Sequence, residues 1–249
     1  MFVAASTRCF PDVTIDKSLQ KLADLEFSSS EIVVGRKLCD LRPEWLKDDF
    51  NSVQRLCLLS RKITPSAFFL DLPISDPEYD ATFELVLRLC RGLGVVVVVV
   101  RSAPTGVPFN EEYERLKKLA VLSSRFGVFV SVATERDSLT GTIDAVNSMC
   151  KGISDLRVSL DPSHFIYGHK PPINFDSLIP KTAHLRLRDT SFKEFQVKIG
   201  QGKLEYKKLV DQLNRIGYSR ALCVDLAPLP DIDSESELRK MRLLMESLL

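Results

Sequence analysis

The sequence predicts a single α/β domain over residues 1–249, folded as a (β/α)8 barrel, the TIM barrel. The first observation is a helix-then-strand pattern that recurs along the chain. The second is the presence of eight apolar strand segments, spaced by roughly 25 to 40 residues, which is the length of one strand, one helix and two loops. The third is the length of 249 residues, which fits one barrel. An open doubly wound sheet is the alternative, and it would leave two edge strands unpaired.

The recurring pattern is an amphipathic helix that ends at a glycine and is followed by an apolar, β-branched run. It occurs in "CRGLGVVVVVV", "SSRFGVFVSVA", "CKGISDLRVSL" and "NRIGYSRALCVDL". A glycine at the end of a helix commonly adopts the left-handed conformation that closes it. We expect this conformation at Gly94, Gly127, Gly152 and Gly217. The runs after these glycines are apolar on both faces, as parallel strands covered by helices must be.

The remaining strands and two helices can be placed from local patterns. The remaining strands are predicted at "MFVAAS", "SEIVVG", "SAFFLDL" and "TAHLRLRD". Leu19, Leu22 and Leu25 fall on one face of the first helix. Ser234 and Glu237 have capping-box spacing and are predicted to begin the last helix. Right-handed crossovers then close the eight units into a barrel.

Composition excludes several classes of protein. The chain has 34 Lys and Arg against 33 Asp and Glu, so no overall field attracts nucleic acid or an anionic membrane. A small anionic ligand stays compatible with this balance. No apolar run approaches about 20 residues, and the start "MFVAASTRCF" lacks the basic residues of an export signal, so we expect a cytoplasmic protein. The six scattered cysteines are expected to be free thiols. The sequence does not indicate the oligomeric state.

A barrel restricts functional residues to the C-terminal ends of its strands and to the loops that follow them. The polar residues predicted there are Ser6, Thr7, Arg8, Glu31, Arg36, Asp71, Arg101, Ser102, Thr134, Glu135, Arg136, Asp137, Asp161, His164, His184, Arg186, Arg188, Asp189 and Asp225. Any one of them could be a helix cap or a surface ion pair. Their convergence on one rim is the stronger indication of a site.

The order of several motifs resembles a known family. These motifs are "STRCFPD", "SLTGT", "LDPSHF", "HLRLRD", "IGQGKLEYKKLVDQL" and "ALCVDL". Together they resemble the xylose-isomerase-like barrels of the sugar phosphate isomerase and epimerase type, over essentially the whole chain. The resemblance implies a divalent metal held by Glu, Asp, His and Glu from strands 5 to 8. It also implies that two of the acids move a proton at the sugar carbon that the metal acidifies.

The four implied ligand positions are only partly kept in this chain. They fall on Ala133, Asp161, Arg186 and Asp225. Alanine has no donor atom, and arginine is a permanent cation that cannot ligate a metal. The resemblance therefore implies an isomerase or epimerase-like protein for a sugar or sugar phosphate, with an altered site in which no metal is expected. The candidate catalytic residues are Asp161, His164, Asp225 and Glu135.

Two readings of the altered site stay open beside an internal salt bridge without a ligand. A relocated zinc or manganese site could use Asp161, His184 and Asp225, with Glu135 nearby. Alternatively, the guanidinium of Arg186 could take the place of the ion between Asp161 and Asp225. The alternative function is a non-catalytic barrel that binds a sugar or an anion, or that serves as a partner protein. Hydrolysis of damaged DNA, known in the superfamily, is disfavoured by the neutral charge and the missing ligands.

The segment "QVKIGQGKLEY" suggests a further contact with a ligand. Gly200 and Gly202 could expose backbone N–H groups to an anion such as phosphate, Lys198 adds charge, and a helix is predicted from Leu204. The two glycines could equally well only shape a turn. The candidate substrate-binding residues are Arg8, Glu31, His184, Arg186, Arg188, Lys198, Gly200 and Gly202.

Overall fold

Eight parallel strands close into a barrel in the computed structural model, which describes residues 1–59 and 63–249. The strands are β1 (Phe2–Ser6), β2 (Ser29–Val34), β3 (Thr64–Leu70), β4 (Val97–Val100), β5 (Phe129–Ala133), β6 (Leu156–Leu160), β7 (Thr182–Leu187) and β8 (Ala221–Val224). Each strand pairs with the next in the chain, and β1 pairs with β8 through Phe2 and Ala221. The predicted barrel is confirmed, and the open sheet is excluded.

Helices follow the strands along the chain. They are α1 (Ile15–Asp24), α2 (Pro43–Asp48), α3 (Phe50–Leu59), α4 (Tyr79–Leu93), α5 (Phe109–Ser124), α6 (Ile143–Gly152), α7 (Ser163–Ile166), α8 (Tyr206–Arg215) and α9 (Ser234–Glu246). Short 3-10 turns lie at Thr7–Cys9, Leu139–Gly141 and Asp176–Lys181. Helix α8 begins two residues later than the predicted Leu204. Within the described residues, no helix is both long and apolar enough to cross a membrane.

The strands are buried on both faces, as the apolar runs predicted. Val98 and Val100 pack in the main hydrophobic core, whereas Val97 and Val99 belong to a second, separate cluster with Phe69. Alternate residues of a strand point to opposite faces, so the two clusters mark the helix-facing side and the barrel interior. All six cysteines are free, and five of them are buried. This confirms the prediction of free thiols.

The glycine helix ends are confirmed at three of the four predicted positions. Gly94, Gly127 and Gly217 have φ of 71°, 71° and 69°. Gly152 does not adopt the left-handed conformation and is instead the last residue of α6, so that prediction is wrong. A Cβ at position 152 would lie 2.3 Å from the hydroxyl oxygen of Tyr113. The glycine is needed there for close packing against that ring and not for a turn.

The predicted capping box of the last helix is also wrong. Asp233 is the N-cap of α9, and its carboxylate accepts hydrogen bonds from the amides of Glu235 and Ser236 at 3.2 and 3.3 Å. Glu237 instead accepts a hydrogen bond from the amide of Ile199 at 2.7 Å. The carboxylate that a capping box would use for its own helix therefore fixes the loop after β7.

The position of the N-cap gives a direct test. Asp233→Ala should lower the free energy of unfolding by about 1 kcal/mol, because two amides of α9 lose their acceptor. Ser234→Ala is the matched control and should change it much less, since its hydroxyl caps no amide of the helix. Urea denaturation of the two variants measures both values. A larger loss for Ser234→Ala would contradict the assignment.

Candidate functional site

The C-terminal ends of the strands surround a cavity of about 230 Å³, which we call the mouth. It is lined by Arg8, Phe69, Arg101, Ala133, Thr134, Glu135, Ser159, Asp161, His164, Arg186, Arg188, Phe195 and Asp225. The four predicted catalytic residues are all among them. Of the predicted binding residues, the mouth includes the three arginines, at positions 8, 186 and 188, while Glu31 and His184 are buried and do not line it.

Arg186 lies between two carboxylates at the bottom of the mouth. Its Nη2 donates a hydrogen bond to Glu31 Oε1 at 2.9 Å and lies 3.3 Å from Asp225 Oδ2. The guanidinium also stands over the ring of Phe69, 4.5 Å from its centre. One of the readings that the sequence left open places Arg186 between Asp161 and Asp225. The structure corrects the first of these partners to Glu31, a buried residue of β2.

Arg188 continues the same line of charges. Its Nη2 donates to Asp225 Oδ2 and lies 3.1 Å from Asp161 Oδ2. Its guanidinium stands 4.7 Å from the centre of the Phe195 ring. Carboxylates and guanidiniums therefore alternate in one chain. We call this chain the inner chain, and its members are Glu31, Arg186, Asp225, Arg188 and Asp161.

A second alternating chain crosses the other side of the mouth. Arg8 donates to both oxygens of Asp40, at 2.9 and 2.7 Å, and also pairs with Asp71. Arg101 then bridges Asp71 and Glu135. We call this set the outer chain. Each chain has three acids and two arginines, but Glu31, Asp40 and Asp71 do not line the cavity, so the lining of the mouth itself has four arginines and three acids.

The arginines set the protonation of the acids. Burial alone would raise the pKa of Asp225, but the guanidiniums of Arg186 and Arg188 outweigh it and lower the pKa to about 2. Burial also opposes ionisation of Glu31, and Arg186 and His184 again bring the net pKa below its usual value. Both acids are therefore ionised at neutral pH. A carboxylate with so low a pKa is a weak proton acceptor.

His164 presents one ring nitrogen to the mouth. Its Nδ1 accepts a hydrogen bond from the amide of Arg136 at 3.1 Å, and its Nε2 lies 3.8 Å from Asp161 Oδ2. Burial lowers the pKa of His164, which keeps the ring neutral at pH 7. With Nδ1 as the acceptor, Nε2 carries the proton. Asp161 also accepts the amide of Ser163, the first residue of α7, at 2.9 Å, so it contacts the start of that helix as well as lining the mouth.

The residues of the relocated metal site, which the sequence left open, are not grouped closely enough in the described residues to share an ion. His184 Nε2 lies 2.8 Å from Glu31 Oε2, below the mouth, whereas Asp161 and Asp225 both contact Arg188. Among the described residues, the group close enough to share an ion is Glu31, His184 and Cys223, whose ligand atoms lie within 4.8 Å of one another. Burial raises the pKa of the Cys223 thiol well above its usual value, and a thiol must lose its proton to ligate.

The metal that the resemblance implies does not fit the mouth either. Ala133 lines the cavity with a methyl group, and Arg186 stands where the resemblance implies a histidine ligand. The two acids left at ligand positions, Asp161 and Asp225, are already paired with guanidiniums. A divalent ion would have to displace two buried cations to reach them.

The glycine loop after β7 is built around a carboxylate of the chain itself. Asp189 Oδ2 accepts the amides of Gly200 and Gly202 at 2.7 and 3.0 Å. A Cβ at Gly202 would lie 1.7 Å from Asp189 Oδ1, so the glycine permits this close approach. These two amides are therefore not free to bind an anion in this structure, in agreement with the other reading of the sequence, in which the glycines shape a turn. Lys198 is exposed on the same loop and does not line the mouth.

Several site residues were missed by sequence reasoning. Phe69 and Phe195 provide the rings of the mouth, and Asp40 holds Arg8. Asp71 was recognised as a strand-end acid, but nothing marked it as a partner of two arginines. Phe69 alternates with core residues in "SAFFLDL", a signal that could have placed it in the barrel interior. Asp40 and Phe195 lie in loops and belong to no motif.

A larger groove of about 1040 Å³ opens beside the mouth. It is lined by Asp71, Leu72, Pro73, Ile74, Ser75, Arg101, Ser102, Ala103, Pro104, Val107, Glu111, Glu112, Arg115, Glu135, Arg136, Asp137, Ser138 and His164. Three of these residues, Arg101, Glu135 and His164, also line the mouth. The two cavities are therefore neighbours with a shared wall.

Comparison with known proteins gives one family match and a set of similar folds. A family model described as "Xylose isomerase-like TIM barrel" matches residues 19–243. A search of curated proteins found no match. A xylose isomerase domain protein from Alicyclobacillus acidocaldarius subsp. acidocaldarius has a TM-score of 0.76 at 17% identity, covering 100% of this chain and 98% of its own. At such identity the likeness shows the fold alone.

Two further solved structures add to this comparison. A D-tagatose 3-epimerase-like protein has a TM-score of 0.73 at 16% identity, with 100% of this chain and 98% of its own covered. The IOLI protein, solved with a bound zinc atom, has a TM-score of 0.73 at 18% identity, with 99% and 96% covered. The zinc is a property of that protein.

The low pKa of Asp225 predicts a pH-dependent loss of stability. Asp225→Asn should lower the free energy of unfolding at pH 7 by about 2–5 kcal/mol, because it leaves two buried guanidiniums without a shared partner. The folded pKa of about 2 lies below the unfolded value. The stabilisation is therefore full above about pH 4 and is lost as the pH falls towards 2.

Denaturation of wild type and variant between pH 7 and pH 2 measures this difference. The matched control is Asp211→Asn, which removes an exposed acid paired with Lys207. The control should change the free energy of unfolding by less than about 0.5 kcal/mol. A difference for Asp225→Asn that stays constant with pH would contradict the assigned ion pairs.

Proposed function

We propose, because the chain belongs to the xylose isomerase-like TIM barrel family, that it is a sugar isomerase or epimerase-like protein that works without a metal ion. In this proposal the mouth binds a small sugar, and the guanidiniums of Arg186 and Arg188 take the place of the ion. We also propose that it acts in the cytoplasm as a single domain; the six free cysteines support that compartment.

The observation that carries the proposal is the position of Arg186. It stands where the resemblance places a histidine ligand, and it is buried between Glu31 and Asp225. The hydrogen bonds of Arg186 and Arg188 to described residues use Nη2 alone. In both residues Nη1 donates to no described residue, so it is free to donate to an oxygen of a ligand. The free Nη1–H groups of these two guanidiniums suit the carbonyl and hydroxyl oxygens of a sugar, which accept hydrogen bonds.

The lining residues can be given roles in a proton transfer. The guanidiniums hold a carbonyl oxygen and its neighbouring hydroxyl, and they stabilise the negative charge that develops on the carbonyl oxygen. Glu135 takes the proton from the carbon that bears the hydroxyl and returns it to the former carbonyl carbon, while the hydroxyl proton moves to the former carbonyl oxygen, so that aldose and ketose interconvert with no oxidant or reductant. The Nε2–H of His164 donates a hydrogen bond to a ligand oxygen. Asp161 and Asp225 hold the arginines in place.

The second candidate is a non-catalytic barrel that binds a sugar. A specific observation favours it: Asp225, at one of the implied acid positions, has a pKa of about 2, and at the other Ala133 has no carboxylate. Glu135 is the remaining candidate base, and it is paired with Arg101. A site of this kind binds hydroxyl groups without moving a proton. The two candidates differ in whether a bound sugar exchanges a carbon-bound proton with water.

Proton exchange in heavy water tests the two candidates. Ketoses and aldoses, with and without phosphate, are incubated with protein and a chelator, and loss of the carbon-bound proton is followed by NMR. We expect exchange with at least one sugar in the presence of chelator, reduced about a hundredfold in Glu135→Gln. Glu114→Gln, an exposed change on α5, is the matched control and should exchange at the wild-type rate.

The outcomes separate the proposals. Binding without exchange would favour the non-catalytic candidate, and exchange that is abolished by the chelator would contradict a metal-free site. If no sugar binds or exchanges, both candidates are wrong.

A second experiment tests the assignment of the ligand positions. Ala133→Glu with Arg186→His should create three carboxylates and one imidazole around the mouth, a set that suits a divalent ion. Either change alone should gain less, because the new glutamate would pair with Arg186, and the new histidine would face Ala133. Calorimetry with manganese and zinc on all four proteins measures the gain. Equal affinity in the four would mean that these positions do not share a site.

A further inference from the structure

We infer that the groove beside the mouth is the second half of the ligand site and that it takes an uncharged, apolar group attached to the sugar. This inference rests on the proposed function, since it assumes that the mouth holds the sugar. It assigns the substrate class as sugar derivatives that keep a carbonyl group beside a hydroxyl group for the mouth and carry an apolar substituent elsewhere. Sugar phosphates with a phosphate in the groove are not in that class.

The two cavities share three lining residues and differ in size. The mouth, at about 230 Å³, has room for little more than one sugar ring. The groove, at about 1040 Å³, is several times larger. Arg101, Glu135 and His164 line both, so a group attached to a sugar in the mouth would reach the groove by passing over these three side chains. A monosaccharide alone would leave most of this volume to water.

The wall of the groove includes two apolar segments from neighbouring loops. Leu72, Pro73 and Ile74 follow β3, and Ala103, Pro104 and Val107 follow β4. β3 and β4 are adjacent in the barrel, so both segments lie at the same side of the mouth. Apolar surface gains free energy when a ligand covers it, whereas a charged group would lose its hydration there.

The charges of the groove do not favour an anion. Glu112 and Arg115 pair with each other at 2.7 Å, and Glu112 also accepts the amide of Ala103 at 3.1 Å. Arg101 is held by Asp71 and Glu135. The acids of the lining outnumber its arginines, five to three: they are Asp71, Glu111, Glu112, Glu135 and Asp137 against Arg101, Arg115 and Arg136. A phosphate in the groove would meet a net negative lining.

Binding of matched glycosides, which carry the substituent but no carbonyl group, tests the groove separately from the reaction. The probes are methyl and phenyl glycosides of glucose, galactose and xylose, together with glucose 6-phosphate, and the readout is the dissociation constant from ligand-observed NMR. We expect the phenyl glycoside of the preferred sugar to bind about tenfold tighter than its methyl glycoside. The phosphate should bind no tighter than the parent sugar.

Variants test whether the extra affinity for the phenyl glycoside comes from the groove. Val107→Asp places a charge in the groove wall and should remove the advantage of the phenyl group, leaving the methyl glycoside unchanged. Val121→Asp is the matched control, because Val121 is exposed on α5 and does not line the groove. It should keep the full advantage. Arg188→Gln, in the mouth, should weaken methyl and phenyl glycosides alike.

Each outcome decides one of the two proposals. Equal affinity for phenyl and methyl glycosides, or an advantage that survives Val107→Asp, would overturn the groove assignment while leaving sugar binding in the mouth intact. Sugar affinity that does not change in Arg188→Gln would instead contradict the proposed function, even if the phenyl advantage depends on Val107. If no glycoside binds, both are wrong.

Discussion

The alternation of carboxylates and guanidiniums across the mouth is the constraint on which the site depends. Every charge of the inner chain has an opposite charge beside it, and the chain joins four strands, β2, β6, β7 and β8. Breaking a buried pair is costly because the partner that is left cannot regain its hydration. The position of each side chain is thus set by its neighbours. The mouth is an electrostatic unit and not a collection of independent residues.

Arginine and a metal ion make different sites from the same barrel. A metal accepts lone pairs from its ligands and from the substrate, whereas a guanidinium only donates hydrogen bonds, in a fixed plane. The arginines are residues of the polypeptide itself, so their positive charge does not depend on the supply of a metal ion. The same charge keeps Asp225 ionised and weakly basic. The arginines of the mouth therefore position charged groups strongly, and the same arginines make Asp225 a weak proton acceptor.

The strands could be predicted from sequence because burial on both faces requires long apolar runs such as that at Val97–Val100. Contacts between segments that are far apart in the sequence could not be predicted in this way. Glu31 is 155 residues from Arg186, and no spacing rule distinguishes it from Asp161 as a partner. Local errors have the same origin. The need for glycine at position 152 comes from the ring of Tyr113 on another helix, and the need for glycine at position 202 comes from Asp189. The capping box failed for a different reason, since Asp233, one residue earlier, is an equally good cap.

In the loop after β7 the chain supplies its own anion. Asp189 occupies the amides of Gly200 and Gly202, and Glu237 occupies that of Ile199. A tethered group competes at an effective concentration set by its attachment, which far exceeds that of a freely diffusing ion. External phosphate would have to displace a covalently attached carboxylate from each amide. The amides of this loop are thus already occupied by carboxylates of the same polypeptide, and these hydrogen bonds hold the loop in place beside the mouth.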